Sequence, residues 1–318
     1  MNKNIFYAIV GLILSSVLFS SCNEKHKGGR TDTYSSGAIK FASDESFGSI
    51  IDEEKQIFES VYPSAKVNPI YTNEVDGINM LLHNKVCLVI TSRNLTKAEY
   101  ANFQARQFQP RAIPIAYDGF ALIVNKSNVD TCITVDNIRK ILSGQANKWK
   151  QINSKSKLGD IEVVFSNGKS STVRYAVDSI LHGKPINSPN IFATNKTSEV
   201  IEYVQKTPNA IGIIGSNWLN EKGDSTNVTF NKKIRVMSVS RMAKATPYNS
   251  WKPYQAYLYN GNYPLIRTIY ALLNDPINGL PWGFAHFMES PKGQMIIFKS
   301  GMLPVQGNIT IRDVNVNE

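Results

Sequence analysis

Three hydroxyl side chains in a row, Ser170, Ser171 and Thr172, stand where a helix should begin. Residues 161–165 (IEVVF) are rich enough in apolar and β-branched side chains for a strand buried on both faces. Residues 166–171 are small and polar. From Thr172 on, Val173, Ala176, Val177, Ile180 and Leu181 recur at helical spacing, and Gly183 supplies a stop. A helix start leaves backbone N–H groups without intrahelical acceptors and carries a partial positive charge. Hydroxyls placed there can hold an anion. A plainer use is also open, in which one of the three simply caps the helix.

The same strand, polar corner and helix occur twice more. Residues 38–42 read as a strand and 43–46 (SDES) as a corner. A helix follows, with Phe47, Ile50, Ile51, Ile57, Phe58 and Val61, ending at Pro63. Residues 85–91 (KVCLVIT) read as a strand leading into Ser92-Arg93-Asn94 and a helix from Thr96. Thr96 and Glu99 there have the spacing of a capping box. Arg93 is either an anion contact at this corner or a surface charge.

Further elements must carry these corners. Residues 67–71 read as a strand and 76–83 as a helix. The long apolar run 112–124 (AIPIAYDGFALIV) reads as extended chain passing between two lobes. Helices are expected at 135–142, 198–205, 264–273, 283–289 and 293–298, and strands at 210–215 and 234–239. Residues 216–219 form a turn or short helix, Trp149 sits in a loop, and 302–305 close the fold. Strands alternating with helices predict α/β architecture with largely parallel sheets.

Length and composition narrow the function. A chain of 318 residues suits two domains. Its formal charge is +10, and removing residues 1–21 takes away only Lys3. Basic residues are scattered rather than blocked, which argues against nucleic acid and leaves a small anion or an anionic surface as partner. The four histidines (His26, His83, His182, His286) lack ligand spacing, so no metal site and no cofactor are expected. Lys169 adjoins Ser170, but neighbours in a loop rarely face each other. With no G-x-S-x-G elbow and no Gly-rich nucleotide loop, the chain does not read as an enzyme.

Residues 1–21 read as a secretory signal, with Lys3 as the charged end and 5–19 as the apolar run. The sequence LFSSC at 18–22 resembles a bacterial lipoprotein signal in which Cys22 is lipidated, although Phe19 stands where Leu is usual. A plain signal peptide is the alternative. Residues 22–36 then read as a polar tether, and the protein as exported and lipid-anchored to the cell envelope. Whether Cys87 and Cys132 pair is left open.

Order and spacing together carry a family resemblance. The segments are AIKFASDESF (38–47), LVITSRNLT (88–96), IAYDGFALIVN (115–125), IRKILSGQANKW (138–149), FSNGKSSTVRYAVDSIL (165–181), NAIGIIGSNWL (209–219), YPLIRTIY (263–270) and GFAHFMESPKGQMIIFKSGMLP (283–304). In this set the chain resembles the phosphate-binding proteins of bacterial ABC transporters, which are type II periplasmic binding proteins, and most closely the Bacteroidetes-type lipoproteins among them. The resemblance implies a two-lobed α/β fold with two hinge-crossing strands and a ligand cleft between lobes. It places lobe one at 37–117 plus 240–318 and lobe two at 118–239. It implies a monomer that binds inorganic phosphate or a related tetrahedral oxyanion, breaks no bond, and delivers the anion to an ABC permease. A sensor or envelope scaffold of the same fold is the alternative.

Ligand residues implied by the resemblance are Ser43 and Asp44 in the first corner, Ser92 and Arg93 in the second, and Ser170, Ser171 and Thr172 in the third. Many family members carry an Arg where Ser166 stands and an Asp where Arg93 stands, so the cation would have moved between lobes. Asp44 would accept the proton that phosphate retains, or merely cap the helix after it. Both glycines of the family's Gly-Ser-Gly-Thr loop are absent.

Overall fold

The computed structural model describes residues 29–220 and 230–307. The expected signal peptide and Cys22 lie outside the described residues. Strands are β1 (Gly37–Asp44), β2 (Ala65–Thr72), β3 (Leu88–Thr91), β4 (Arg111–Val124), β5 (Cys132–Thr134), β6 (Glu162–Phe165), β7 (Ile191–Ala193), β8 (Ala210–Gly215), β9 (Arg235–Val236), β10 (Ser238–Ser240), β11 (Ile266–Leu273) and β12 (Leu303–Pro304). Helices are α1 (Gly48–Val61), α2 (Glu74–Leu82), α3 (Lys97–Ala105), α4 (Val135–Leu142), α5 (Trp149–Ile152), α6 (Ser171–Tyr175), α7 (Thr197–Lys206), α8 (Gln255–Tyr259), α9 (Leu280–Glu289) and α10 (Pro291–Lys299).

One mixed sheet runs in the order β2-β1-β3-β11-β4-β8-β6-β7. Its flanks are parallel: β1 pairs with β2 and β3, and β6 pairs with β7 and β8. Its middle is antiparallel. The first part of β4 pairs with β11, and its last part with β8. This single strand of 14 residues therefore belongs to both halves of the molecule. It matches the expectation that 112–124 passes between lobes.

A separate core fills each half. In one, Phe41 and Phe58 each meet Phe284 with ring centroids 5.2 Å apart. In the other, Phe120, Trp149 and Phe165 pack with Ile133, Ile211 and Val239. Each fully buried aromatic or branched side chain contributes about 1.5–3 kcal/mol of transfer free energy, so each half holds its own shape. Leu258, Tyr263 and Leu265 pack with the second core, Ile269, Ala271, Leu273 and Phe284 with the first, and Leu303 with the second again.

Three expectations change. Residues 264–273, expected helical, form β11. Arg267, Ile269 and Ala271 are buried in alternation, a period of two that the structure uses to seat β11 between β3 and β4. Trp149 opens the one-turn helix α5 and is fully buried, its Nε1 donating to the Asn209 carbonyl at 2.9 Å. The expected tether is packed at its end: Leu280 N donates to Asp32 Oδ2 at 2.7 Å. A Cβ on Gly283 would lie 1.9 Å from the Tyr34 carbonyl oxygen, so only glycine lets the chain pass there. Cys87 and Cys132 are not paired with each other. Among the described residues no helix is long and apolar enough to cross a membrane.

Candidate functional site

Asp44 ends β1 and joins two corners of the molecule. Its Oδ1 accepts from Ser46 N at 2.9 Å and Ser46 Oγ at 2.5 Å, which caps the 3-10 turn Glu45–Phe47. Its Oδ2 accepts from Ser171 N, at the start of α6, at 3.0 Å. The side chain thus caps its own corner and reaches the third corner as well. Ser171 Oγ lies 3.2 Å from Ser46 Oγ and accepts from Arg267 Nη1 at 2.9 Å.

Arg267 is held by its register partner across β11 and β4. Its Nε donates to Asp118 Oδ2 at 2.9 Å, and Asp118 Oδ1 accepts from Ser216 N at 2.8 Å and Ser216 Oγ at 2.7 Å. The guanidinium sits 5.0 Å from the Phe47 ring centroid. Burial pushes the Asp44 carboxyl above the usual carboxylate range. Bonds from Ser46 oppose that push, Glu74 adds to it, and Arg267 also opposes it.

The remaining hydroxyls of the third corner shape the loop. Ser170 is the N-cap of α6, and its Oγ donates to the Asn167 carbonyl at 2.8 Å. Thr172 Oγ1 lies 2.9 Å from Ser170 Oγ. Ser43 Oγ donates to the Asp44 carbonyl at 3.1 Å, beside the cluster.

The second corner is organised by Glu74 of α2. Its Oε2 accepts from Thr91 Oγ1 at 2.7 Å, Ser92 N at 3.1 Å and Ser92 Oγ at 3.1 Å, and its Oε1 accepts from Arg174 Nε. Arg174 Nη2 also donates to Ser92 O at 3.0 Å and Ser92 Oγ at 2.9 Å. Burial pushes Glu74 up, but Arg174 and the hydroxyl and N–H donors outweigh it and hold the carboxyl below its usual range. Arg93 makes none of these contacts. Its two Nη groups donate to Glu99 Oε2 and Oε1, both at 2.7 Å, on the capping box of α3.

Direct bonds also close the space between the halves. Thr197 N, at the start of α7, lies 3.1 Å from both Glu45 carboxylate oxygens, and Thr197 Oγ1 donates at 2.8 Å. Trp218 Nε1 donates to the Ser46 carbonyl at 2.7 Å.

Sequence reasoning brought forward Asp44 and Ser171, which do meet, and missed Arg267, Asp118, Arg174 and Glu74. A signal for two of these existed. Arg267 and Asp118 are lone charges in apolar runs, and a lone charge in a buried strand needs a partner. Reading 264–273 as helix hid their pairing. In chemical terms the cluster offers hydroxyls, a backbone N–H and a guanidinium on one side and a carboxylate on the other, which suits an anion carrying a proton. Among the described residues no group of three acid, His or Cys side chains suits a metal ion.

The profile of the PBP superfamily domain matches residues 28–292. The phosphate-binding protein PstS of Borreliella burgdorferi is 25% identical over 266 residues, covering 81% of this chain and 86% of the relative. That of Staphylococcus saprophyticus is 23% identical over 278 residues, covering 86% and 81%. Among solved structures, a phosphate ABC transporter substrate-binding protein from Clostridium perfringens, with bound phosphate, superposes with a TM-score of 0.71. It is 20% identical over 85% of this chain and 100% of its own. An ABC-type phosphate transport receptor from Vibrio cholerae gives a TM-score of 0.63 at 21% identity, over 84% of this chain and 100% of its own. These likenesses establish the fold as that of the type II periplasmic binding proteins.

Proposed function

The chain belongs to the PBP superfamily domain family, and on that premise we propose that it binds inorganic phosphate, or a closely related tetrahedral oxyanion, between its two halves. It hands the anion to an ABC permease and breaks no bond. The observation that carries this reading is the meeting of Asp44, Ser46, Ser171 and Arg267, drawn from both corners and from a crossing strand. Relatives named as phosphate-binding proteins support the choice of anion.

Charge bookkeeping favours phosphate over sulfate. Arg267 faces Asp118 and Arg174 faces Glu74, which leaves Asp44 as the carboxylate without its own cation. Phosphate keeps a proton near neutral pH and can donate it to Asp44, whereas sulfate presents only acceptors. Ser43, Asp44, Ser170, Ser171 and Thr172 line the site in this reading, and Ser92 contributes through the Glu74 and Arg174 network. The moving bodies are 37–117 plus 240–318 and 118–239. Packing supports a return crossing nearer Leu265 than residue 240. The protein acts as an exported monomer anchored through lipid on Cys22.

One observation favours a sensor or scaffold instead. The donors of the second corner, Thr91 Oγ1, Ser92 N and Ser92 Oγ, are already satisfied by Glu74. Calorimetric titration of the purified protein with phosphate and then sulfate separates the readings. Tight phosphate binding that weakens in Asp44→Asn supports transport. Absence of heat with either anion, in protein shown to be folded, overturns the phosphate assignment.

A further inference from the structure

Two buried polar groups of opposite kind lack partners beside the cluster. Arg267 Nη2 lies 2.8 Å from Asp118 Oδ2 but off the hydrogen-bonding direction, and its hydrogens have no acceptor. Asn217 Oδ1 has no donor. Arg267 is 3% exposed and Asn217 8%. The orientation of the amide is fixed by its other end, where Nδ2 donates to the Ser46 carbonyl at 3.0 Å and Ser49 Oγ at 3.2 Å. Buried donors and acceptors are rarely left unpaired, so this pair calls for a ligand atom.

Both groups flank one point. A Cβ built on Gly215 would lie 2.5 Å from Asn217 Oδ1, 2.8 Å from Asp118 Oδ2 and 3.0 Å from Arg267 Nη2. With no side chain at 215 the three polar atoms crowd round one small space, and a Cβ would collide with them. An atom that satisfies both free groups must accept from a guanidinium and donate to an amide oxygen. A hydroxyl oxygen does both. Sulfate, with four bare acceptor oxygens near neutral pH, can meet Arg267 but would set an acceptor against Asn217 Oδ1.

We propose that Arg267 and Asn217 form the subsite for the protonated oxygen of the bound oxyanion, and that Asn217 is a specificity-determining residue for phosphate against sulfate. This rests on the phosphate reading above. Arg267 serves as the cation of the site, aligned by Asp118 and steadied by its bond to Ser171 Oγ. Dihydrogen phosphate carries two hydrogens: one goes to Asp44, as above, and Asn217 reads the other. The subsite also explains why the chain can do without a cation at Ser166, where the resemblance leads one to expect an arginine.

The test is calorimetric titration of the purified protein with phosphate, arsenate and sulfate, with circular dichroism and melting as checks of folding. In Asn217→Ala, phosphate and arsenate are expected to weaken roughly 10- to 100-fold, while sulfate does not weaken. Asn217→Ser removes the same amide oxygen and leaves a short polar side chain. It is the milder truncation, so this variant carries the test should Asn217→Ala not fold. It is expected to give the same narrowing of the phosphate-to-sulfate ratio. Unchanged phosphate affinity in the folded variants overturns the proposal and leaves the space as a site for one water molecule. An equal loss for sulfate also overturns it, because Asn217 would then only shape the loop. A wild-type protein that takes sulfate as tightly as phosphate overturns the subsite while sparing the oxyanion reading. A wild-type protein that binds none of the three overturns both.

Discussion

Asp44 and Glu54 are both buried carboxyl groups on the chain around the first corner, at 2% and 1% exposure, and they obey opposite rules. Asp44 accepts three hydrogen bonds, two from its own corner and one from the third. Neither oxygen of Glu54 has a partner. Glu54 lies against a small cavity lined by Phe47, Ile90, Ile115, Ile269 and Met288. Burial, with a lesser push from Glu53, raises its carboxyl to about 9, so it is neutral near pH 7. Burial pushes Asp44 up too, and its hydrogen bonds oppose that push without cancelling it. The difference separates two uses of a buried acid. Where donors converge from several elements, the carboxyl organises a site. Where none do, it only costs stability.

The largest expected effect breaks the organised side of this comparison. Asp118→Ala removes the acceptor of Arg267 and of Ser216 N and Oγ. It leaves a guanidinium buried without its counter-charge, which costs about 3–5 kcal/mol. Urea denaturation should show the midpoint falling with an unchanged slope. A loss under about 1 kcal/mol, the value of an exposed pair, would mean that solvent reaches Arg267.

Glu54→Met should act in the other direction. Between the unfolded value of 4.5 and the folded value of about 9, the folded chain holds one proton more than the unfolded chain. Stability of the wild type therefore falls as pH rises through that window and levels off above it. At pH 7 the substitution should stabilise by about 3 kcal/mol, at about 1.4 kcal/mol per pH unit, and the gain should shrink toward pH 4.5. A gain that does not vary with pH would show that Glu54 is hydrated and ionises normally.

A smaller effect is expected at the clasp between Glu45 and α7. Glu45→Gln keeps the shape and removes the charge facing the start of the helix, a contribution of about 1 kcal/mol. Stopped-flow release of phosphate should speed up roughly fivefold, in proportion to that energy, with little change in the association rate. A change confined to association would place the clasp outside the closed state.

How much of this was legible in the sequence follows from the range over which each feature is determined. The corners were legible because a strand, a polar turn and a helix are local patterns. The Thr96–Glu99 capping box and helix Val135–Leu142 appear as expected. Strand β11 was misread because Pro264 and the apolar spacing of 264–273 suit a helix start. Its strand state comes from β3 and β4 on either side, which no local pattern records. The site was half legible for the same reason. Asp44 and Ser171 announce themselves at corners, whereas Arg267, Asp118 and Asn217 matter only through partners far away in the chain.

The smallest expected effect concerns Arg93, the arginine that the sequence brings forward. Both it and Arg267 are held by carboxylates, so side-chain type does not distinguish them. Surroundings do. Arg93 and Glu99 keep 21% and 18% of their side chains exposed, against 1% and 0% for Arg267 and Asp118. Water and salt screen the first pair, so Arg93→Ala should cost about 1 kcal/mol or less, and less again at high ionic strength. Phosphate affinity should not change, because the Arg93 donors are spent on Glu99 and on the Asn94 carbonyl. Titration of Arg93→Ala beside Arg267→Lys measures the contrast directly. Loss of phosphate affinity in the first but not the second would return the cation of the site to the second corner. It would also mean that Arg93 leaves Glu99 when the anion arrives.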